Sequence, residues 1–134
     1  MYLIVDANVL LGAVFGKSLA LIEAIEASGT LLLVPEPMMH EAQRIVGDPD
    51  RVFAADAPIR LQAVETAVTI LDLSHYQERE ARARERLSEA GQSDWPLVAS
   101  ALALDAPIWS NDKHLWGVGV AVWRTQAMRY WGVS

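Results

Sequence analysis

The chain of 134 residues has no cysteine, which removes disulfides, thiolate metal sites and cysteine nucleophiles together. Stability must come from an apolar core, and any nucleophile must be oxygen or water. No apolar run approaches the roughly 18 residues of a membrane-spanning helix, and the opening residues, MYLIVDANVL, lack the basic region of a secretory signal. Both absences predict a soluble, cytoplasmic protein with no membrane segment. Positive charge is also scarce: 11 Lys and Arg face 17 Asp and Glu, for a net charge of −6. That balance argues against a broad basic face that grips nucleic acid by charge alone. No loop resembles a glycine-rich phosphate cradle, which counts against nucleotide- and flavin-binding readings.

What is present is apolar: 52% of the residues are hydrophobic, enough for one well-packed domain over residues 1–134 and too few residues for two ordinary ones. YLIV reads as a short buried strand ending at Asp6. Residues 17–28 carry Leu19, Ile22 and Ile25 at helical spacing and stop at Gly29, and TLLLV follows as a second strand. After Pro35 and Pro37, MMHEAQRIV reads as a helix; GDPDR is a loop; IRLQAVETAV is helical and TILDL is a third strand. The stretch 76–90 is predicted helical from its Glu and Arg content, with Glu80 and Arg84 at supportive spacing. WPLVASALAL is an apolar helix, APIW a fourth strand, VAVW a fifth, and RTQAMRYW a closing helix. Alternating strand and helix predicts a three-layer α/β/α sandwich on a five-stranded parallel sheet, for which the order 3-2-1-4-5 is taken as the working topology. The seven-residue spacing of Trp109, Trp116, Trp123 and Tyr130 mimics a heptad, but Pro107, Gly117 and Gly119 interrupt it.

Four acids stand out along these elements: Asp6 after the first strand, Glu41 in the early turns of the helix after the second, Asp94 at the start of the apolar helix and Asp112 after the fourth strand. Asp6 follows the first strand and Asp112 the fourth, so the proposed order brings both to the point where connections diverge, the usual ligand crevice of an open parallel sheet. Adjacent carboxylates repel unless a cation compensates them. Hard divalent ions take oxygen ligands, and phosphate-cutting sites gather carboxylates from separate segments. Asp94 has an ordinary structural use as a helix cap. Glu41 competes with Glu36 for the fourth place and is preferred because it flanks the face carrying Met38, Ala42 and Ile45. Charge should be judged with metal present, since two divalent ions would add roughly +4 locally.

Taken together, LIVDANVLL near the start, an acid early in the helix after the second strand, SDWPLVASALAL and PIWSNDKHL resemble the PIN-domain nucleases, most closely the VapC-type toxins. The resemblance spans most of the chain in order and size, while its specific signal lies in the short patches around residues 4–11, 93–104 and 107–115. It implies that Asp6, Glu41, Asp94 and Asp112 form a catalytic and metal-binding quartet, with Asn8 and Ser110 as supporting polar residues. It further implies one or two Mg²⁺ or Mn²⁺ ions, an RNA substrate, a homodimer and a small cognate antitoxin. Ser110 departs from the family pattern, in which threonine is common there.

Three rivals follow from the same residues. His40, His75 and His114 could act as acid and base without metal, although their spacing shows no pairing. Aspartyl-phosphate chemistry as in haloacid-dehalogenase-like phosphatases would need an acid two residues after Asp6, where Asn8 stands. A general RNA-processing nuclease, or a non-catalytic binding module that keeps the fold, is the third alternative.

Overall fold

Leu3, Ile4 and Val5 are completely buried, and this triplet forms most of the first strand, β1 (Tyr2–Val5), in the computed structural model, which describes residues 1–51 and 54–132. β1 is central. On one side lie β2 (Leu31–Pro35) and β3 (Thr69–Leu71), on the other β4 (Ile108–Trp109) and β5 (Val122–Trp123). All pairings are parallel and the order is β3-β2-β1-β4-β5, that of the working topology. The strands read as unbroken apolar runs because both faces of the sheet are covered.

Helices α1 (Ala7–Phe15), α2 (Leu19–Ala27), α3 (Glu36–Val46) and α4 (Ala57–Ala67) connect β1, β2 and β3, and they pack on one another. The chain then steps back across the sheet from β3 to β4 through α5 (Glu80–Glu85) and α6 (Trp95–Leu104), which pack together, α6 also against β1, β2 and β4. Parallel crossovers are right-handed, so reversing the direction of travel moves the connecting helices to the opposite face. Three layers result. Trp109, Leu97, Met39, Ile22 and Leu10 are among the large side chains fully enclosed between them.

Several elements differ locally from the sequence reading. The segment after Asp6, left unassigned, is α1, and α2 turns away from it by 117°. Arg60 of α4 holds this corner: its guanidinium donates to the carbonyls of Ala13, Val14 and Gly16 at 2.8–3.1 Å, filling acceptors that the end of α1 leaves open. Glu36, expected in a turn, is the first residue of α3, and Pro37 is accommodated in the opening turn, where its missing N–H costs nothing. Gly29, at φ +100°, ends the α2 connection in a backbone conformation that side chains disfavour.

The long helix expected over 76–90 is instead short 3₁₀ turns followed by the six-residue α5. Gln92 explains the stop: its side-chain amide donates to the carbonyls of Arg84 and Leu87 at 2.9 and 3.1 Å, capturing acceptors that a continuing helix would use. The closing helix is likewise a run of 3₁₀ turns over Thr125–Tyr130. Trp109, Trp116, Trp123 and Tyr130 share no helix face: Trp109 is buried while Trp116 and Tyr130 are exposed.

Candidate active site

β1 and β4 are hydrogen-bonded neighbours, yet the chain leaves β1 toward β2 and leaves β4 toward β5. A crevice opens where the connections part. The pairing of Val5 with Trp109 places the next residues, Asp6 and Ser110, side by side at the carboxyl ends of the two strands. A cavity of about 230 Å³ lies there, lined by Asp6, Ala7, Asn8, Leu11, Glu41, Asp94 and Asp112. The acids singled out in the sequence therefore share one cavity, although they come from four different segments. A larger hollow of about 430 Å³, bordered by Leu102, Asp105, Pro107 and Val120, has Asp105 as its one titratable lining residue.

Asp6 is the most enclosed of the four, only 5% exposed. Its Oδ1 accepts from the backbone N–H of Ala7 at 2.7 Å, and its Oδ2 accepts from the Ser110 hydroxyl at 2.6 Å and the Asn8 amide at 3.2 Å. Burial pushes its pKa above the usual carboxylate value, with Asp112 and Glu41 adding to the rise, while the Ser110 and Ala7 donors oppose it. Ser110 works in two directions. Its oxygen also accepts from the Asp112 backbone N–H at 3.0 Å and lies 3.3 Å from the Asn8 amide, tying the two strand ends together.

Asp112 is partly buried, and its Oδ1 accepts from the backbone N–H of His114 at 2.9 Å, with the His114 ring Nδ1 3.2 Å away. Asp94 stands at the head of α6, where a capping role was the ordinary expectation, but its side chain makes no capping hydrogen bond. It points instead to its acidic neighbours. Its pKa is pushed up to about 7, first by burial, then by the charges of Asp6 and Asp112, by a hydrogen bond with Asp112 and by Glu41. Glu41 reaches the cavity from α3 and is exposed, whereas Glu36 borders a different hollow with His40, Tyr76 and Trp95. Geometry thus separates the two glutamates.

The histidines do not assemble. His40 lies 3.6 Å from Glu36, His75 3.4 Å from Asp72 and His114 3.2 Å from Asp112, each beside a different carboxylate. Two contributors went unread in the sequence. Asn111 donates its backbone N–H to Asn8 Oδ1 at 3.3 Å, and its side chain pairs with Thr125, accepting from the backbone N–H at 2.8 Å and donating to Oγ1 at 2.9 Å. The bond between residues so far apart in the chain leaves no sequence signal.

Oxygen-only donors with crowded negative charge suit a hard divalent cation, and the pKa of Asp94, raised first by burial and then by the neighbouring carboxylates, is one that such an ion would lower. Among the described residues no three acidic or histidine side chains already form a tight shell around one point. Mg²⁺ tolerates that looseness because it keeps several waters and takes only one or two carboxylates directly. The residues present fit the ion.

Comparison with solved structures gives a neighbour of the same fold: the crystal structure of VapBC2 from Rickettsia felis bound to a DNA fragment from their promoter. The TM-score is 0.73 at 14% sequence identity, covering 92% of this chain and 98% of that one. Curated protein sequences give no match. A family model described as PIN domain runs from residue 4 to residue 131, through every strand of the sheet and all four acids of the cavity, and the chain belongs to the PIN domain family.

Proposed function

We propose that the protein is a divalent-metal-dependent endoribonuclease and the toxin of a toxin–antitoxin pair. The observation that carries this reading is the meeting of Asp6, Glu41, Asp94 and Asp112 in one cavity at the β1–β4 switch point. Family membership and the fold shared with the VapBC2 structure support it. A small antitoxin and a homodimer belong to the same proposal, as does a cytoplasmic location; among the described residues no single helix is long and apolar enough to cross a membrane.

Bound Mg²⁺ or Mn²⁺ would neutralise phosphate charge and lower the pKa of the attacking water. The chain's own contribution is position and proton control. Asp6 is immobilised by Ala7, Ser110 and Asn8, so its outward lone pairs have a fixed direction before anything binds. Asp112 is held by the His114 N–H at the other wall. Asp94 retains a proton near neutrality and gives it up when positive charge enters the cavity, making it the adjustable member. Glu41 closes the cavity from α3 and is the most exposed to solvent and substrate.

With water as attacker, the products carry 5′-phosphate and 3′-hydroxyl ends and the RNA 2′-hydroxyl is not consumed. Selection of RNA over DNA then rests on binding. The test is cleavage of a structured RNA in Mg²⁺, compared between the unmodified protein and Asp94→Asn, before and after chelation. Cleavage that survives chelation, or cyclic-phosphate ends, would overturn the metal mechanism. Absent cleavage together with negligible heats of metal binding in both proteins would favour a non-catalytic binding module.

A further inference from the structure

A cavity lined by carboxylates repels the polyanion it is proposed to cut, and the net charge of −6 offers no general compensation. A cationic contact beside the acids is therefore needed. Four arginines are held by other parts of the chain. Arg84 pairs with Glu80, Arg51 with Asp48, and Arg60 and Arg86 donate to backbone carbonyls. Arg124 follows β5, the strand paired with β4, and its guanidinium lies over the Trp116 ring, 5.3 Å from its centre. Trp116 itself is 53% exposed.

Arg124 lines a hollow of about 450 Å³ with Asn111, the residue before Asp112, and with Thr125 and Gln126. Its placement is fixed from both sides. Thr125, the next residue, is locked to Asn111 by the paired hydrogen bonds described above, and its Oγ1 also accepts from the Trp109 indole N–H at 3.0 Å. Asn111 in turn donates to Asn8, which touches Asp6. A continuous set of hydrogen bonds thus runs from the hollow to the acid cavity. Arg124 follows β5 at one edge of the sheet, while Glu41 approaches from the helix after β2, so the hollow belongs to the β5 side of the sheet and Glu41 to the β2 side.

We propose that this hollow is a subsite for the nucleotide adjoining the scissile phosphate. Arg124 binds the neighbouring phosphate, and Trp116, which lies outside the hollow's lining but against Arg124, offers its exposed face to the base. The guanidinium's planar donor fork suits a phosphate, and an exposed indole suits base stacking without sequence preference. The inference rests on the nuclease reading for which phosphate is cut, but strand binding can be measured apart from cleavage.

The experiment uses a labelled single-stranded RNA of about ten nucleotides and reads binding by fluorescence anisotropy on an Asp94→Asn background, with Arg124→Gln, Trp116→Ala and Arg129→Gln added singly. Arg129 also stands over an aromatic ring, that of Tyr130 at 4.7 Å, but does not line the hollow, so it controls for loss of one charge. Arg124→Gln is expected to weaken binding about tenfold and to reduce the salt slope by about 0.7, the value for one lost phosphate contact on a single strand. Trp116→Ala should weaken binding with the slope unchanged, and Arg129→Gln should do neither. Equal losses for Arg124→Gln and Arg129→Gln, or no loss for either, would overturn the subsite, as would an RNA that does not bind at all. Should the unmodified protein bind but never cleave, the nuclease reading fails while a selective Arg124 effect still stands. Melting temperatures of all variants confirm that they fold.

Discussion

The Ser110 hydroxyl donates to Asp6 Oδ2 at 2.6 Å, and the same oxygen accepts the Asp112 N–H at 3.0 Å. One hydroxyl thereby sets the spacing of two acids that come from strands more than a hundred residues apart in sequence. Replacing Ser110 with alanine removes the strongest donor opposing the burial of Asp6. The expected cost at pH 7 is about 1–3 kcal/mol of stability, as for a buried polar group left unpaired. Metal affinity should fall tenfold or more, the usual scale for a supporting contact. Chemical denaturation and calorimetric titration with Mn²⁺ measure the two effects separately.

Asp94→Asn should stabilise the metal-free protein at pH 8 while abolishing cleavage. The sign follows from its folded pKa of about 7, well above the unfolded value of 3.8. Between those values the folded state binds more protons than the unfolded state, so stability falls as pH rises through this window. Asparagine carries no such charge. Its Tm advantage should be a few degrees at pH 8, on the scale of roughly 2–5 °C per kcal/mol for a domain of this size, and should shrink toward pH 4. An ordinary cap would instead leave both stability and cleavage unchanged, because Asp and Asn cap about equally well.

Cation binding should release a proton near neutrality. Asp94 is largely protonated below pH 7 and must ionise to meet positive charge, so Mg²⁺ affinity should rise about fivefold from pH 6 to pH 7 and flatten above pH 8. Calorimetry in two buffers of different ionisation enthalpy gives the proton count directly. No dependence on buffer would contradict the assignment of Asp94.

Glu41→Gln should lower cleavage by about 10²-fold or more, whereas Glu36→Gln should leave it within about twofold. Only the former borders the acid cavity. Parallel rate measurements on the two variants decide between them.

Arg60→Ala offers the complementary case, a residue whose work is structural. Its donors fill three carbonyls at the end of α1, so the loss should cost about 2–3 kcal/mol of stability. The rate per folded molecule should not change, as read by cleavage well below the lowered Tm.

The strands were legible as apolar runs and Asp6 and Asp112 as the acids that follow two of them, whereas Asp94 stood out by its motif at a helix start and Glu41 mainly by the family resemblance. Helix α1 was not legible, since ANVLLGAVF buries Ala7, Val9, Leu10, Ala13 and Val14, and so apolar a segment shows no clear period. The opposite error arose over residues 76–90, where strong helix formers suggested a long helix. There Gln92 intercepts the carbonyls of Arg84 and Leu87, a tertiary decision that propensity does not encode. At the site, strand order placed Asp112 near Asp6. Register shows that Ser110 is the immediate neighbour, which required knowing that Val5 pairs with Trp109.

β4 and β5 contribute only two residues each to the sheet, whereas β1 is paired along both of its edges. The two walls of the acid cavity therefore differ in how long they persist. Asp6 is carried by the most enclosed strand, while Asp112 and Arg124 ride on a short ladder secured largely by the side chains of Asn111 and Thr125. Amide exchange should accordingly be slowest at Leu3–Val5 and faster at Val122–Thr125. Breathing confined to that wall would let a strand enter from the β5 side without disturbing Asp6.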